Sequence, residues 1–277
     1  MKLCTFEVGG RERLGAMTAD GIAALRAASM LEFLQQGCHA EMEDAAPYKL
    51  DEVRLLAPLP NPASVRDFYA FEDHVKKGFE KRGEPMPPEW YEIPVYYKSG
   101  HHNIIGTDSD VRWPAFTQKF DYELEIAAVI GKQGTNVKAA DARKYIAGFT
   151  VMNDFSARDI QRKEMKVRLG PAKGKDWCTA LGPYLVTLDE IGDPYSLAMT
   201  ARINGETWST GNTSSMYWKF EQMIEFLTWD DTIYPGDVIG SGTVGGGCGL
   251  ELDRWVQRGD VMELEIEKIG VLRNRVV

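Results

Sequence analysis

No stretch of this 277-residue chain stays apolar for the ~20 positions a membrane-spanning helix needs. The N-terminus, Met-Lys-Leu-Cys-Thr-Phe-Glu-Val, carries a charge at Glu7 where a secretory signal would be apolar, so no secretory leader is expected there. Positive charge is in deficit. Lys and Arg number 32 against 41 Asp and Glu, and the net charge of −9 argues against a general affinity for nucleic acid or an anionic membrane. A small-molecule partner is the expectation instead. Cysteine is sparse, with Cys4, Cys38, Cys178 and Cys248 scattered and no C-x-x-C pair. That spacing excludes a disulfide scaffold and suits a reducing, cytoplasmic setting. The P-loop, G-x-S-x-G and H-E-x-x-H patterns are all missing. Residues 240–245 satisfy G-x-G-x-x-G letter by letter, but glycine-rich and strand-like sequence comes next rather than the helix of a dinucleotide fold. His101-His102 has no acid or cysteine at a useful spacing and reads as a surface loop.

The remainder of the sequence reads as an α+β protein, mainly β. Residues 1–60 form an expected small α/β domain, with a helix over Met30–Gln36 that Ser29 and Glu32 could close as a capping box. Pro58, Pro60 and Pro62 interrupt any helix or central strand and mark a linker. Residues 61–277 form the expected main domain. It opens with a helix over Ala70–Arg82 and a Pro-rich aromatic segment over 84–97, whose aromatics, Tyr97 among them, are expected either to shape substrate choice or to pack a lid. Many strand-like runs come after these, broken by helices over Ser156–Lys166 and Met216–Leu227. No repeat of solenoid period is evident.

The chemistry concentrates in Phe120-Asp121-Tyr122-Glu123-Leu124-Glu125-Ile126. A strand period of two places Asp121, Glu123 and Glu125 on one face. Two readings are open: a half-solvated strand, or acids at the edge of a core. The run Met262-Glu263-Leu264-Glu265-Ile266-Glu267 has the same alternation but ends in charge near the C-terminus, as solvated acids would. The first run continues instead into Ala127-Ala128-Val129-Ile130, apolar on both faces, as a strand entering an interior does. Paired carboxylates there need a compensating cation. Asp154 comes directly after the buried-looking strand Gly148–Asn153, either as a third metal ligand or as an Asx-turn before a helix capped by Ser156 and Asp159. Ligands that are all oxygen favour Mg²⁺ or Mn²⁺, with Ca²⁺ also accommodated.

The order Tyr122-Glu-Leu-Glu-Ile126, Met152-Asn-Asp-Phe-Ser-Ala-Arg-Asp-Ile-Gln161, Leu169-Gly-Pro-Ala-Lys-Gly-Lys175, Leu181-Gly-Pro183, Gly211-Asn-Thr213, Tyr234-Pro-Gly-Asp-Val-Ile239 and Gly242-Thr-Val-Gly245 resembles the fumarylacetoacetate hydrolase superfamily over most of residues 67–277. The resemblance implies that family's mixed β-sandwich roll and a metal held by Glu123, Glu125 and Asp154, with Asp67 a less certain fourth ligand. It also implies His74 as a general base held by Glu251, and Lys175, Arg158 and Gln161 at the substrate or its developing oxyanion. Thr243 would offer a hydroxyl to the bound acid. The N-terminal portion is much shorter than in fumarylacetoacetate hydrolases proper, which argues against identity with that tyrosine-breakdown enzyme.

The function so implied is a metal-dependent hydrolase that splits a C–C bond of an acylpyruvate or 2,4-diketo acid into a 2-keto acid and a carboxylic acid. The alternatives are an oxaloacetate decarboxylase or a keto–enol isomerase, which exploit the same enolate without an activated water. A non-enzymatic, metal-stabilised domain would instead show a closed coordination shell. The family's usual dimers, and the apolar stretch Met216-Tyr-Trp-Lys-Phe220, lead to the expectation of a homodimer.

Overall fold

A computed structural model describes residues 1–277. Two sheets face one another. The larger has eleven strands, and its central path runs Gly21–Ala24, Arg11–Thr18, Lys2–Val8, Thr179–Thr187, Ile146–Asn153, Leu124–Ile130, Asp237–Gly240, Ser64–Phe68 and Tyr96–Ser99. The smaller runs Glu206–Asn212, Ala198–Ile203, Val261–Ile266, Gly270–Val276 and Ser109–Val111. This is the mainly β, α+β architecture anticipated from the strand-like runs.

Leu124–Ile130 is buried at every residue. Ile126, Ala128 and Ile130 join Met199, Ala201, Leu264 and Ile266 in the core between the sheets. Ala127 and Val129 pack on the other face with Leu3, Phe33 and Leu185. A strand covered on both sides must be apolar on both sides, which is why the acidic alternation stops at Glu125. The control run behaves oppositely, with Glu263 and Glu265 part-exposed and Glu267 exposed.

Residues 1–60 hold four of the strands, three on the central path and Arg54–Leu55 beside Lys2–Val8, together with the helix Met30–Gln35. Lys2–Val8 bonds to Thr179–Thr187, so the large sheet continues across position 60. The helix starts as a partial capping box. Ser29 accepts the Glu32 N–H, but the Glu32 carboxylate takes the N–H of Ala28 rather than that of Ser29.

Three helices begin later than their sequence signals suggest. The first spans Glu72–Arg82, because Ala70 spends its N–H on the Ser241 carbonyl and Phe71 forms a bridge with Met216. The second spans Arg158–Lys166, because Ser156-Ala157 pair with Phe120-Asp121 as a short ribbon. Neither Ser156 nor Asp159 caps it; Asp159 accepts instead from Thr117 Oγ1 and the Gln118 N–H. The third spans Phe220–Leu227. In each case tertiary pairing claims backbone groups that local pattern assigns to a helix.

Of the stretch 216–220, Met216, Trp218 and Phe220 are buried within the single chain, and only Tyr217 is exposed. No helix is long and apolar enough to cross a membrane, and all four cysteines are free.

Candidate active site

Four neighbouring strands deliver the acids to one level. Asp67 lies opposite Gly240 on one side and Tyr97 on the other. Gly240 in turn lies opposite Ala127. Glu125 lies opposite Met152, and Asp154 is the residue immediately after the strand Ile146–Asn153. Gly240 is required by space, since a Cβ there would sit 2.3 Å from Asp67 Oδ1. Gly242 adopts φ +75° and passes so close to the Phe68 carbonyl that a Cβ would lie 2.4 Å from it. This turn carries Thr243 inward.

One oxygen each from Asp67, Glu125 and Asp154 lie within 4.8 Å of one another, and all three residues are buried. Asp67 Oδ1 accepts the Gly242 N–H at 3.0 Å, Glu125 Oε1 takes the Thr243 hydroxyl at 3.3 Å, and Asp154 Oδ2 takes the Tyr97 hydroxyl at 2.5 Å. Glu125 Oε2 and Asp154 Oδ1 are buried without any partner. Such groups are costly unless something binds them. Two orphaned oxygens in a three-carboxylate cluster fit a hard divalent cation well.

Glu123, the remaining expected ligand, is linked to Asp154 through the Lys175 ammonium. It stands beside the trio and turns to two buried cations, Lys175 and Arg158. Arg158 Nη2 donates to it at 2.7 Å, while Arg158 Nε reaches Asp121 at 2.8 Å and Nη1 reaches Gln161 at 3.0 Å. The Lys175 ammonium bridges Glu123 and Asp154, at 2.5 Å from the latter. It is brought there by Gly174, whose Cα packs against the helix backbone at Gln161, where a Cβ would meet N at 2.9 Å.

These neighbours set the protonation pattern. Burial, reinforced by the neighbouring Asp154, pushes the Asp67 carboxyl up to about 8. Burial and then Asp67 push Glu125 well above the carboxylate range. Burial raises Asp154 too, though Lys175 opposes it. For Glu123 burial is outweighed by Arg158 and Lys175, and its carboxyl falls below the usual range. Five buried acids, Asp67, Asp121, Glu123, Glu125 and Asp154, face only two buried cations. The metal-free cluster must therefore retain protons.

A second group adjoins this one. His74 Nδ1 meets Glu251 Oε1 at 2.5 Å, across 177 residues of chain. Tyr69 stacks edge-on to the imidazole at 5.2 Å. Glu251 sits on the short helix Gly249–Leu252 and also accepts the Gly246 N–H at 2.9 Å. Burial would raise its carboxyl, but the bond from His74 and its charge hold it below the ordinary range. With Nδ1–H committed to a carboxylate, Nε2 is the basic nitrogen. The helix carrying His74 is docked in this structure, tied down also by Lys81 to Asp253 at 2.9 Å.

The sequence model described as fumarylacetoacetate (FAA) hydrolase C-terminal matches residues 63–277. The chain belongs to the fumarylacetoacetate hydrolase family. It is 38% identical over 228 residues to a human mitochondrial protein named oxaloacetate tautomerase, covering 82% of this chain and 70% of the relative. A Bacillus subtilis oxaloacetate tautomerase is 34% identical, covering 83% of this chain and 75% of the relative. A fumarylacetoacetate hydrolase from Exiguobacterium antarcticum superposes with a TM-score of 0.85 at 31% identity, covering 100% and 99% of the two chains. A 5-carboxymethyl-2-hydroxymuconate delta-isomerase from Mycobacterium smegmatis gives 0.81 at 29%, with the same coverage.

Sequence reasoning within this family frame left two contributors unassigned. Asp121 shared the acidic face but was given no role; its carboxylate anchors Arg158 and accepts the Gly249 and Leu250 N–H groups at 2.8 and 3.0 Å. Cys248 gave no local signal at all, and it lies 3.5 Å from Glu251. The Tyr97 hydroxyl donates to Asp154. The rest of the aromatic segment packs beneath the His74 helix, with Trp90 Nε1 on the Tyr69 carbonyl at 2.8 Å and Tyr91 on Glu72 at 2.5 Å.

Gly240 offers a clean test of how Asp67 is held. Gly240→Ala should force Asp67 aside and weaken Mg²⁺ binding by roughly 10–100-fold, the range for lost ligand support. Calorimetric titration measures this; unchanged affinity would mean that Asp67 has no part in holding the ion.

Proposed function

We propose that this enzyme interconverts the keto and enol forms of a small 2-keto dicarboxylate such as oxaloacetate. The observation that carries this reading is the Lys175 ammonium, fixed between Glu123 and Asp154 at the edge of the carboxylate trio. An ammonium has three donors, and two are used here, so the third N–H is left for a substrate oxygen. The names of the relatives at 34–38% identity support the same substrate class.

Asp67, Glu125 and Asp154 would hold the divalent ion, with Mg²⁺ or Mn²⁺ the best match to oxygen donors. When bound, that ion would supply positive charge to the 2-keto acid end of the substrate. His74 Nε2 takes a proton from C3, and the released electron pair forms the C2–C3 double bond while charge moves to the 2-oxygen. Lys175 donates to that oxygen, and Arg158, held by Asp121 and Glu123, adds a fixed positive field. Protonation of the oxygen completes the enol, and the reverse sequence restores the ketone.

A second reading, hydrolysis of an acylpyruvate, is favoured by the His74–Glu251 pair, because a carboxylate-held imidazole suits the activation of water. One experiment separates the outcomes. Enol-rich oxaloacetate is mixed with the Mg²⁺-loaded enzyme, and enol absorbance, pyruvate and CO₂ are monitored together. Fast loss of enol without pyruvate is expected. Release of pyruvate and CO₂ in step with the enol would mean decarboxylation, and enol decay at the buffer rate would sink the tautomerase reading. Acylpyruvates assayed alongside report the hydrolytic alternative.

A further inference from the structure

His74, Cys248 and Glu251 are all buried, and one donor atom from each, nitrogen, sulfur and oxygen, lie within 4.8 Å of one another. The trio is separate from Asp67, Glu125 and Asp154 in its chemistry, which is mixed and partly soft where the carboxylate trio is all oxygen. Cys248 Sγ is 3.5 Å from Glu251 Oε1, and His74 Nδ1 is 2.5 Å from the same oxygen. The backbone holds the thiol in place, because Cys248 forms an antiparallel bridge with Glu123 and starts the short helix that carries Glu251. His74 and Glu251 keep 7% and 8% of their surface open, which leaves them a path to solvent.

We propose that this trio is an inhibitory zinc site built onto the catalytic base. Zinc bonds of about 2.0 Å to nitrogen or carboxylate oxygen and about 2.3 Å to sulfur place tetrahedral donors roughly 3.3–3.5 Å apart. The Cys248–Glu251 separation already has that value, and the pair His74–Glu251 reaches it by parting somewhat. Binding at Nδ1 releases the thiol proton and shifts the imidazole proton from Nδ1 to Nε2, and the resulting thiolate with the Glu251 carboxylate balances the charge of the ion. The imidazole then has Nδ1 on zinc, a proton on Nε2 and its orienting carboxylate taken away, so Nε2 can no longer accept a substrate proton. A hard cation such as Mg²⁺ gains nothing from sulfur and is left to the carboxylate trio.

The bland reading is a buried thiol donating weakly to Glu251, and it predicts no thiophilic metal binding. Co²⁺ distinguishes the two without any substrate, so this result stands apart from the tautomerase reading. The protein saturated with Mg²⁺ is titrated with Co²⁺, and one equivalent is expected to bring up a thiolate-to-cobalt charge-transfer band that Zn²⁺ then erases. Cys248→Ser should lose the band, whereas Cys178→Ser should keep it. In parallel, the Zn²⁺ concentration that halves each protein's own zinc-free rate should rise at least tenfold in Cys248→Ser; Cys248→Ala is the alternative if the serine variant does not fold. Absence of the band in the wild-type protein would overturn the proposal. So would inhibition that is unchanged in both Cys248 variants, which would locate zinc at the carboxylate trio instead.

Discussion

Replacing Glu125 with glutamine should leave a folded protein whose Mg²⁺-dependent turnover falls by at least about 10²–10³-fold, the scale of losing a preorganised electrostatic contact at a reacting centre. Glu125 is fully buried, and burial and then Asp67 push its carboxyl well above the usual range, which favours its neutral form in the metal-free chain. Glutamine copies that shape and its bond to Thr243, and only the capacity to become an anionic ligand is lost. Metal-free thermal stability should therefore stay level or rise, while the stabilisation normally conferred by Mg²⁺ disappears. The wild-type protein should bind Mg²⁺ more weakly as the pH falls below about 8, because Asp67 then holds the proton that the ion must displace. Melting curves with EDTA and with Mg²⁺, at two pH values, measure all of this. Turnover that survives both exhaustive chelation and Glu125→Gln would end the case for a metal enzyme.

His74→Ala should lower tautomerisation, and any acylpyruvate hydrolysis, by the 10²–10⁴-fold typical of losing a general base. Mg²⁺ affinity should stay within a factor of about two, because His74 approaches Glu251 and Tyr69 rather than the carboxylate trio. Any slow decarboxylation of oxaloacetate should largely persist, since departure of CO₂ needs positive charge at the 2-oxygen but no proton from C3. Glu251→Gln should fall between wild type and His74→Ala, because a neutral partner still orients the imidazole but no longer stabilises its cation. Equal loss of all activities in His74→Ala would contradict this division of labour, and unchanged tautomerisation would remove His74 from the reaction.

Much of the acidic site was legible because strand alternation is a local property. Residues 121–126 and 262–267 are similar in composition and differ in the residues that come next, apolar after the first run and charged after the second. The structure buries the first run and leaves the second part-solvated. The apolar run after Glu125 carried the same information as the two packed faces of that strand. The helix starts were less legible. Ser156 and Asp159 have the chemistry of a cap, yet a ribbon with 120–121 and the Thr117 loop hold them more strongly. Of the aromatic stretch at 216–220, the fold of one chain covers Met216, Trp218 and Phe220 and leaves Tyr217 exposed.

The sequence by itself determined which acids share a face, that a buried strand ends just before Asp154, and, by the order of its motifs, the family and the mainly β architecture. The tertiary structure alone decided which carboxylates meet which partners. Glu123 and Glu125 are two residues apart and indistinguishable by alternation, yet one is held by Lys175 and Arg158 while the other joins Asp67 and Asp154. The reason is electrostatic: in a dry interior a carboxylate's state is set by the nearest charges in space, and here these arrive from elements 29 to 58 residues away in sequence (154−125, 158−123, 175−123, 125−67). The contact between His74 and Glu251, and the thiol beside it, spans still more chain. No period along the backbone encodes such a meeting, because it depends on how the sheets and the docked helix pack together.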